Sequence, residues 1–426
     1  MTSRSRLHYS FYIIISSFVI LFFNSGARFA IGVIFKPVIA EFGWSRSAIS
    51  MAFFLHMIVF ALSLILVGRL YDRYGPKWII IISTFFLSGG CFLISLIHSL
   101  WQFFICYGII AAIGLGGTSA TLISVITSKW FEKNRGFAVS LALSGNCLGQ
   151  FALIPLFSIF ILQYSWRALY FFLGLIMLIL NITLALLVIR GDPEAIGLKP
   201  FGYENAKDIE KKKGQSSLTQ NLQDLDLREA MRSYSFWLFL FTMFVCGSGD
   251  FLVTTHLVAL ATDYNISAVT AANMLGWYGL MSLGGILIAG PASDVVENKI
   301  PIALTFVIRF FLFFLVLKYQ GLLSFYIFAL AFGFTSLITS PLTPTLMGRL
   351  YGSSHIGFLT GFIITIHHLA GGFWAYLGGL IFDKTGSYRL IFILSLIMAF
   401  MAIFSSILIK EKRHHRRSVS DQKEIS

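Results

Sequence analysis

Two ionisable residues, Arg28 and Asp250, interrupt long apolar stretches of this 426-residue sequence. A charge in such surroundings is costly and normally faces a partner, a water-filled cavity or a bound ion. Arginine keeps its proton and presents a planar fork of donors that matches a carboxylate, so Arg28 reads as a residue that grips an anion. Asp250 would release Arg28 when a solute arrives, or take up a proton itself. The plainer alternative is a salt bridge that only holds two parts of the molecule together. Arg309, a third charge of this kind, reads as an interhelical pairing group rather than a solute contact.

Polar groups in other apolar stretches extend the set. His367 and His368 are adjacent, so on a helix at most one faces a given site, and an imidazole with an ordinary pKa of about 6.5 responds to protons. Asn146 and Gln150 are spaced i, i+4 and share a helix face. Asn24, Asn273, Trp277, His56 and His256 complete the candidates, each more often an interhelical hydrogen bond than a ligand contact. Cys91, Cys106, Cys147 and Cys246 lie at irregular spacing within apolar runs. They read as small packing residues, neither a disulfide framework nor a metal site. No cofactor-binding pattern is present.

Long helices are needed to hold these groups. The chain is 57% hydrophobic and 12% charged, with a mean hydropathy of +0.81, whereas a soluble domain carries roughly 25% charged residues. Apolar runs long enough to cross a bilayer, about 20 residues, alternate with short polar clusters, and backbone in lipid must satisfy itself as helix or closed barrel. The runs far exceed the length of barrel strands. The expectation is an all-α membrane protein with twelve transmembrane helices, at 10–36, 46–70, 78–97, 101–128, 136–163 and 167–189, then 235–262, 268–292, 301–318, 322–347, 356–381 and 388–410. This gives an N-terminal six-helix bundle over 1–189, a cytoplasmic linker over 190–234, a C-terminal six-helix bundle over 235–410 and a basic tail over 411–426. The linker is expected to carry an amphipathic helix marked by Leu218, Leu222, Leu225 and Met231. The N-terminal apolar run reads as a retained span rather than a signal peptide. With both termini inside, inner segments hold about 24 of the 32 Lys and Arg and outer loops about 6. That bias accounts for the net charge of +13 without nucleic acid and places both termini in the cytoplasm. The short loops and low charge point to a bacterial inner membrane.

The two groups of six lie over one another with a constant shift of 222. It carries Arg28 onto Asp250, Glu41 onto Asp263, Gly68 onto Gly290, Asp72 onto Asp294, Lys77 onto Lys299, and Ser165-Trp166-Arg167 onto Ser387-Tyr388-Arg389. A one-residue gap sets Asn146 against His367. Parallel repeats place a solute site between the halves near the midplane. The loop after the second span, Gly68-Arg69-Leu70-Tyr71-Asp72-Arg73-Tyr74-Gly75-Pro76-Lys77, resembles the G-x-x-x-D-R-x-G-x-K signature of the major facilitator superfamily, and a degenerate copy keeps Gly290, Asp294 and Lys299. The resemblance implies the major facilitator fold, two pseudo-symmetric six-helix bundles acting as a monomer. It also implies that Asp72 sits against a neighbouring helix N-terminus while basic residues bridge cytoplasmic helix ends, latching an outward-open state.

Within that superfamily the sequence is similar to the oxalate–formate antiporter and monocarboxylate transporter branch. The similar stretches are Lys129-Trp130-Phe131 through Arg135-Gly136, Gly191-Asp192-Pro193-Glu194 through Pro200, His256-Leu257-Val258 through Asp263, and Gly378-Gly379-Leu380 through Asp383-Lys384-Thr385-Gly386-Ser387-Tyr388. The branch implies a basic residue close to Arg28 and a lysine where His367 stands. It normally carries an arginine where this chain has Ile286, so a second cationic anchor is missing; dicarboxylates are disfavoured, and a monoanion, a zwitterion or a neutral solute remains open. The expected function is secondary transport of a small organic anion, a monocarboxylate foremost, by alternating access. The expected partners are the solute, the bilayer and a coupling proton or counter-anion. The alternative is a bulkier amphipathic solute such as a siderophore, vitamin or drug. An enzyme would need a clustered acid–base or metal constellation, and a sensor an output module on its tail; neither pattern occurs.

Overall fold

The structure, a computed structural model, describes residues 8–203, 227–352 and 355–411. Among the described residues, eleven helical segments are long and apolar enough to cross a membrane; the one over Leu100–Trp130 is broken at Ser119, whose backbone is extended, and the one over Leu322–Tyr351 between Ser336 and Thr339. The longest, Arg46–Ser95, is 50 residues and is two spans joined at Gly75, whose φ of 75° and ψ of 168° only a residue without Cβ adopts easily. The first half thus holds α1 (Tyr9–Phe42), α2 (46–74), α3 (76–95), α4 (Leu100–Trp130), α5 (Arg135–Gln163) and α6 (Trp166–Leu187). The second holds α7 (Tyr234–Asp263), α8 (Ala268–Val295), α9 (Lys299–Lys318), α10 (Leu322–Tyr351), α11 (Ile356–Thr385) and α12 (Arg389–Ile407).

Serines start many of these helices. The hydroxyls of Ser45, Ser165, Ser233 and Ser267 accept a first-turn N–H that has no partner within the helix. The α4 helix is interrupted by wide π turns over Phe104–Ala111, and the Tyr107 carbonyl there meets His56 Nδ1 of α2 at 2.8 Å.

The segment after α6 folds back on the first half. Phe201 donates its N–H to the Trp130 carbonyl at 2.9 Å, and its ring meets Phe11 and Phe131. Leu218, Leu222 and Leu225 of the expected linker helix lie outside the described residues, while Met231 falls in a short helix, Leu227–Arg232. Glu411, assigned from the sequence to the tail, is buried, accepting from Arg349 at 3.0 Å and from the Lys299 N–H at 3.3 Å. The rest of the expected tail lies outside the described residues.

The internal repeat is visible in the packing. In the first half, a Cβ on Gly149 of α5 would strike the Phe22 carbonyl and the Ser25 hydroxyl of α1. In the second, a Cβ on Gly371 of α11 would strike the Phe251 ring and come within 2.8 Å of the Gly247 carbonyl of α7. The shift of 222 carries Gly149 onto Gly371 and Ser25 onto Gly247 without a gap. This corrects one sequence expectation, because the same register sets Asn146 opposite His368 rather than His367.

These contacts allow a direct test. Gly149→Ala and Gly371→Ala should each cost about 1–3 kcal/mol by overpacking. Gly361→Ala, with open space at its Cβ position, should be neutral. Thermal unfolding in detergent measures all three.

Candidate solute site and its gate

The second half carries a charged cluster. Arg309 of α9 is 1% exposed and donates to the Asp250 carboxylate of α7 at 2.6 Å. Its remaining donors reach the Thr335 hydroxyl at 3.1 Å, the Cys246 carbonyl at 3.1 Å and the Thr335 carbonyl at 3.3 Å. The other oxygen of Asp250 lies 3.3 Å from His367 Nε2 of α11. The Asp250 charge is therefore matched within its own half, and the expected pairing with Arg28 is not made. Donor atoms of Cys246, Asp250 and His367 lie within 4.8 Å of one another, but the Arg309 guanidinium already supplies the cation this carboxylate needs.

Arg28 of α1 is the contrast. It makes no hydrogen bond or ion pair among the described residues, and its Nε is buried without an acceptor. Its guanidinium carbon lies 5.6 Å from the centres of the Phe29 and Phe60 rings and 5.9 Å from that of Phe251, so the group sits among aromatic faces contributed by both halves. The repeat explains the difference. The positions equivalent to Arg309 and His367 in the first half are Leu87 and Gly145, and neither can neutralise a guanidinium.

Other expected site residues are placed elsewhere. Asn24 is buried against Asn181 of α6, which donates its amide to Asn24 at 3.0 Å, so it ties the first half together. Gln150 donates to the Leu275 carbonyl of α8 at 3.1 Å and seals the interface between the halves. Trp277 is 39% exposed on the outer surface, edge-on to Phe151. His256 is buried, with Nδ1 2.9 Å from the Tyr388 hydroxyl and Nε2 2.8 Å from the Ala375 carbonyl, so both ring nitrogens are already engaged. Asn146 is half-buried, one turn from Gln150 on the same face of α5, and makes no hydrogen bond among the described residues. His368 bonds through Nδ1 to the Ile364 carbonyl at 2.8 Å, with its ring against Phe60 and Phe251.

Sequence reasoning missed the group that joins the halves at the end bearing the α1–α2 turn. Arg46, at the start of α2, grips Asp263 at the end of α7 with two bonds of 2.8 Å, and Lys36 reaches the same carboxylate at 2.7 Å. The Arg46 guanidinium lies 3.5 Å from the Phe382 ring centre and donates to the Tyr388 hydroxyl at 2.8 Å. Burial pushes the Tyr388 phenol above its ordinary range, so it stays protonated and can donate onward to His256. The carboxylate of Asp383, at the end of α11, caps α2 by accepting the N–H groups of Arg46 and Ser47 at 3.0 and 2.8 Å. Asp383 and Tyr388 stood in the stretch carrying the branch resemblance. Their partner Arg46 is 337 positions from Asp383, too distant for any local pattern to reveal.

Ties between the halves continue inward through Gly379 on Arg46 and Ser50, Gly372 on Phe54 and Met57, and the Ser282 hydroxyl on Cys147 sulfur at 3.4 Å. Toward the end holding Tyr9 and Ile407, the halves part. Gly68 of α2 and both Gly357 and Gly361 of α11 have nothing within 4 Å of a Cβ position. Asp72 and Arg73 are exposed, and Asp72 makes no hydrogen bond or ion pair among the described residues. The expected signature latch is therefore undone here, because the surfaces it would join are apart. The side chain of Asp294 lies outside what the structure describes, and Lys299 pairs with Glu297 at 2.8 Å.

A family model described as the Major Facilitator Superfamily matches residues 17–259 and 239–425. The chain belongs to the Major Facilitator Superfamily. It is a multi-pass membrane transporter, not an enzyme. An uncharacterized transporter of this superfamily from Bacillus subtilis, YcxA, is 25% identical over 394 residues, covering 91% of this chain and 92% of that protein. Monocarboxylate transporter 13 of Bos taurus is 24% identical over 401 residues, covering 91% and 87%. Two solved structures share the fold at 16% identity, each covering 94% of this chain and 97% of theirs. One is a bacterial homolog of the human lysosomal transporter Spinster in an inward-facing, occupied conformation, with a TM-score of 0.71; the other is a D-xylose–proton symporter, at 0.70.

Loss of the Arg46 clamp should loosen the closed end of this superfamily member. A bidentate, partly buried pair plus a helix cap contributes about 1–2 kcal/mol. Arg46→Ala and Asp383→Asn should each raise the labelling rate of a Ser50→Cys reporter by a water-soluble maleimide roughly tenfold.

Proposed function

We propose that this protein is a secondary transporter of a small organic monoanion, a monocarboxylate foremost, working by alternating access with Arg28 as the residue that takes the carboxylate. One observation carries the reading: Asp250 is satisfied by Arg309, whereas Arg28 is held at mid-span with no counter-ion among the described residues. An unpaired guanidinium in a membrane interior is expensive, and a bound carboxylate would relieve that cost with a forked hydrogen bond. A single such cation fits one negative charge. The absence of arginine at Ile286 agrees with a monoanion, and so do relatives named as monocarboxylate transporters. Arginine 309 does not replace the missing anchor, since its donors are spent on Asp250, Thr335 and Cys246.

The phenyl rings of Phe29, Phe60 and Phe251 around Arg28 favour a solute whose carboxylate carries an apolar body. That observation keeps the amphipathic-solute reading in view. The charge bias of the loops supports cytoplasmic termini in a bacterial inner membrane. On that orientation the structure is closed to the outside by Arg46, Asp263 and Asp383 and parted toward the cytoplasm.

Exchange of labelled pyruvate and phenylpyruvate in proteoliposomes tests the proposal. Arg28→Ala should lower exchange by about 30-fold or more, as expected for removing one partner of a buried charged contact, and Arg28→Lys should retain part of it. Normal exchange by Arg28→Ala would make Arg28 a structural residue. Transport of phenylpyruvate alone would favour the bulkier solute.

A further inference from the structure

We propose that His367 is the site that carries a coupling proton, with Asp250 and Arg309 as its fixed electrostatic frame, and that proton and anion occupancies favour each other across the interface between the halves. The proposal rests on the anion reading of Arg28 and adds the identity of the second ligand and its site.

Geometry selects His367 over Asp250 as the group that titrates. Protonating Asp250 would leave Arg309, 1% exposed and 2.6 Å away, as a buried cation without its counter-ion. His367 can gain and lose a proton while the Asp250–Arg309 pair stays intact. With its Nε2–H donating to the second oxygen of Asp250 at 3.3 Å, the imidazole accepts a proton at Nδ1 and returns it there. No other bond is made or broken. The site thus changes from neutral to one positive charge, and the carboxylate already in place stabilises the charged form.

Among the described residues, the groups around the ring are few. Cys246 and Asp250 face the ring from α7, Arg309 lies on α9, and Tyr278 of α8 lies near Asp250. His368 is the neighbour on α11, engaged with its own helix carbonyl. Thr335 and Thr339 come from α10, while α2 contributes Phe60 against His368. Arg28 is the charged group facing this region from α1.

Arg28 and His367 share one ring. The Phe251 centre is 5.9 Å from the Arg28 guanidinium carbon and 5.6 Å from the His367 ring centre. An anion seated on Arg28 therefore lies on the order of 10 Å from the imidazole, where unit charges at an effective dielectric constant of about 20 alter each other's binding on the order of tenfold. The coupling is reciprocal, so a proton on His367 tightens the anion by the same factor. His367 rides with the second half, since its carbonyl is packed directly on Gly247 of α7, whereas Arg28 rides with the first. Rocking of the halves would then move both ligands between the two sides together.

Gradient-driven accumulation and gradient-free exchange of labelled pyruvate are measured on the same proteoliposomes, with a trapped pH dye reporting proton entry. Wild type should move a proton with each anion; anion entry without proton entry overturns the proposal whatever the variants do. In His367→Gln the ratio of accumulation to exchange should fall at least about tenfold, while His368→Gln should keep the wild-type ratio. An unchanged ratio in His367→Gln overturns the assignment. If wild type moves no carboxylate at all, the anion reading fails by itself. The proton site is then decided by titrating unliganded protein between about pH 5 and 9: wild type should bind one proton more than His367→Gln, and equal uptake overturns it.

Discussion

The ion pair between Asp250 and Arg309 decides what Arg28 and His367 can do. At 2.6 Å, with both partners buried, it removes the strongest counter-ion from the reach of Arg28. A guanidinium among three phenyl rings is then left uncompensated at the interface of the halves. In a low-dielectric interior a guanidinium with no counter-ion among the described residues is costly. Had Asp250 paired with Arg28 instead, the halves would be bolted at mid-depth and the same residues would describe a rigid scaffold.

The two halves share a framework but not its charges. The two halves keep the glycine-mediated approach of α1 to α5 and of α7 to α11, as Gly149 and Gly371 show. The charges around that shared framework have been redistributed. Glu41 accepts from Arg167 and Trp166 of its own half at 2.7 and 2.6 Å, while its repeat counterpart Asp263 reaches across to Lys36 and Arg46. One copy of the carboxylate thus holds a bundle together, and the other holds two bundles to each other.

The sequence displayed the architecture clearly because lipid leaves the backbone few choices. Apolar run lengths and loop charges define twelve spans, and Gly68, Asp72, Gly75 and Lys77 mark the loop joining α2 to α3. Arg28 stood out for the same reason, as a charge where none is cheap. The partnerships were far less legible. Arg309 has Leu87 as its counterpart, so the repeat gave no hint that it would capture Asp250. Asn24, Gln150, His256 and Trp277 were polar residues in spans, but their rotation about the helix axis decides whether they face the interface, their own bundle or the outside. A single sequence fixes that rotation only loosely where most positions on every face are apolar. The gate escaped notice because Arg46 opens α2, Asp263 closes α7 and Asp383 lies in the last turn of α11, three helix ends far apart in sequence.

The wide turns of α4 over Phe104–Ala111 have a consequence for the phase of that span. A π turn accommodates an additional residue per turn relative to an α turn, so the residues before and after it are phased independently. The carbonyl of Tyr107, turned toward His56, anchors the helix within the π turns, and the extended backbone of Ser119 separates the last stretch, Ala120–Trp130, again. The end of α4 near Phe103 can keep its packing against Trp44 while the end near Trp130 keeps its own against Ser10 and Arg190. Neither has to compromise for the other, and the span has in effect two registers within one membrane crossing.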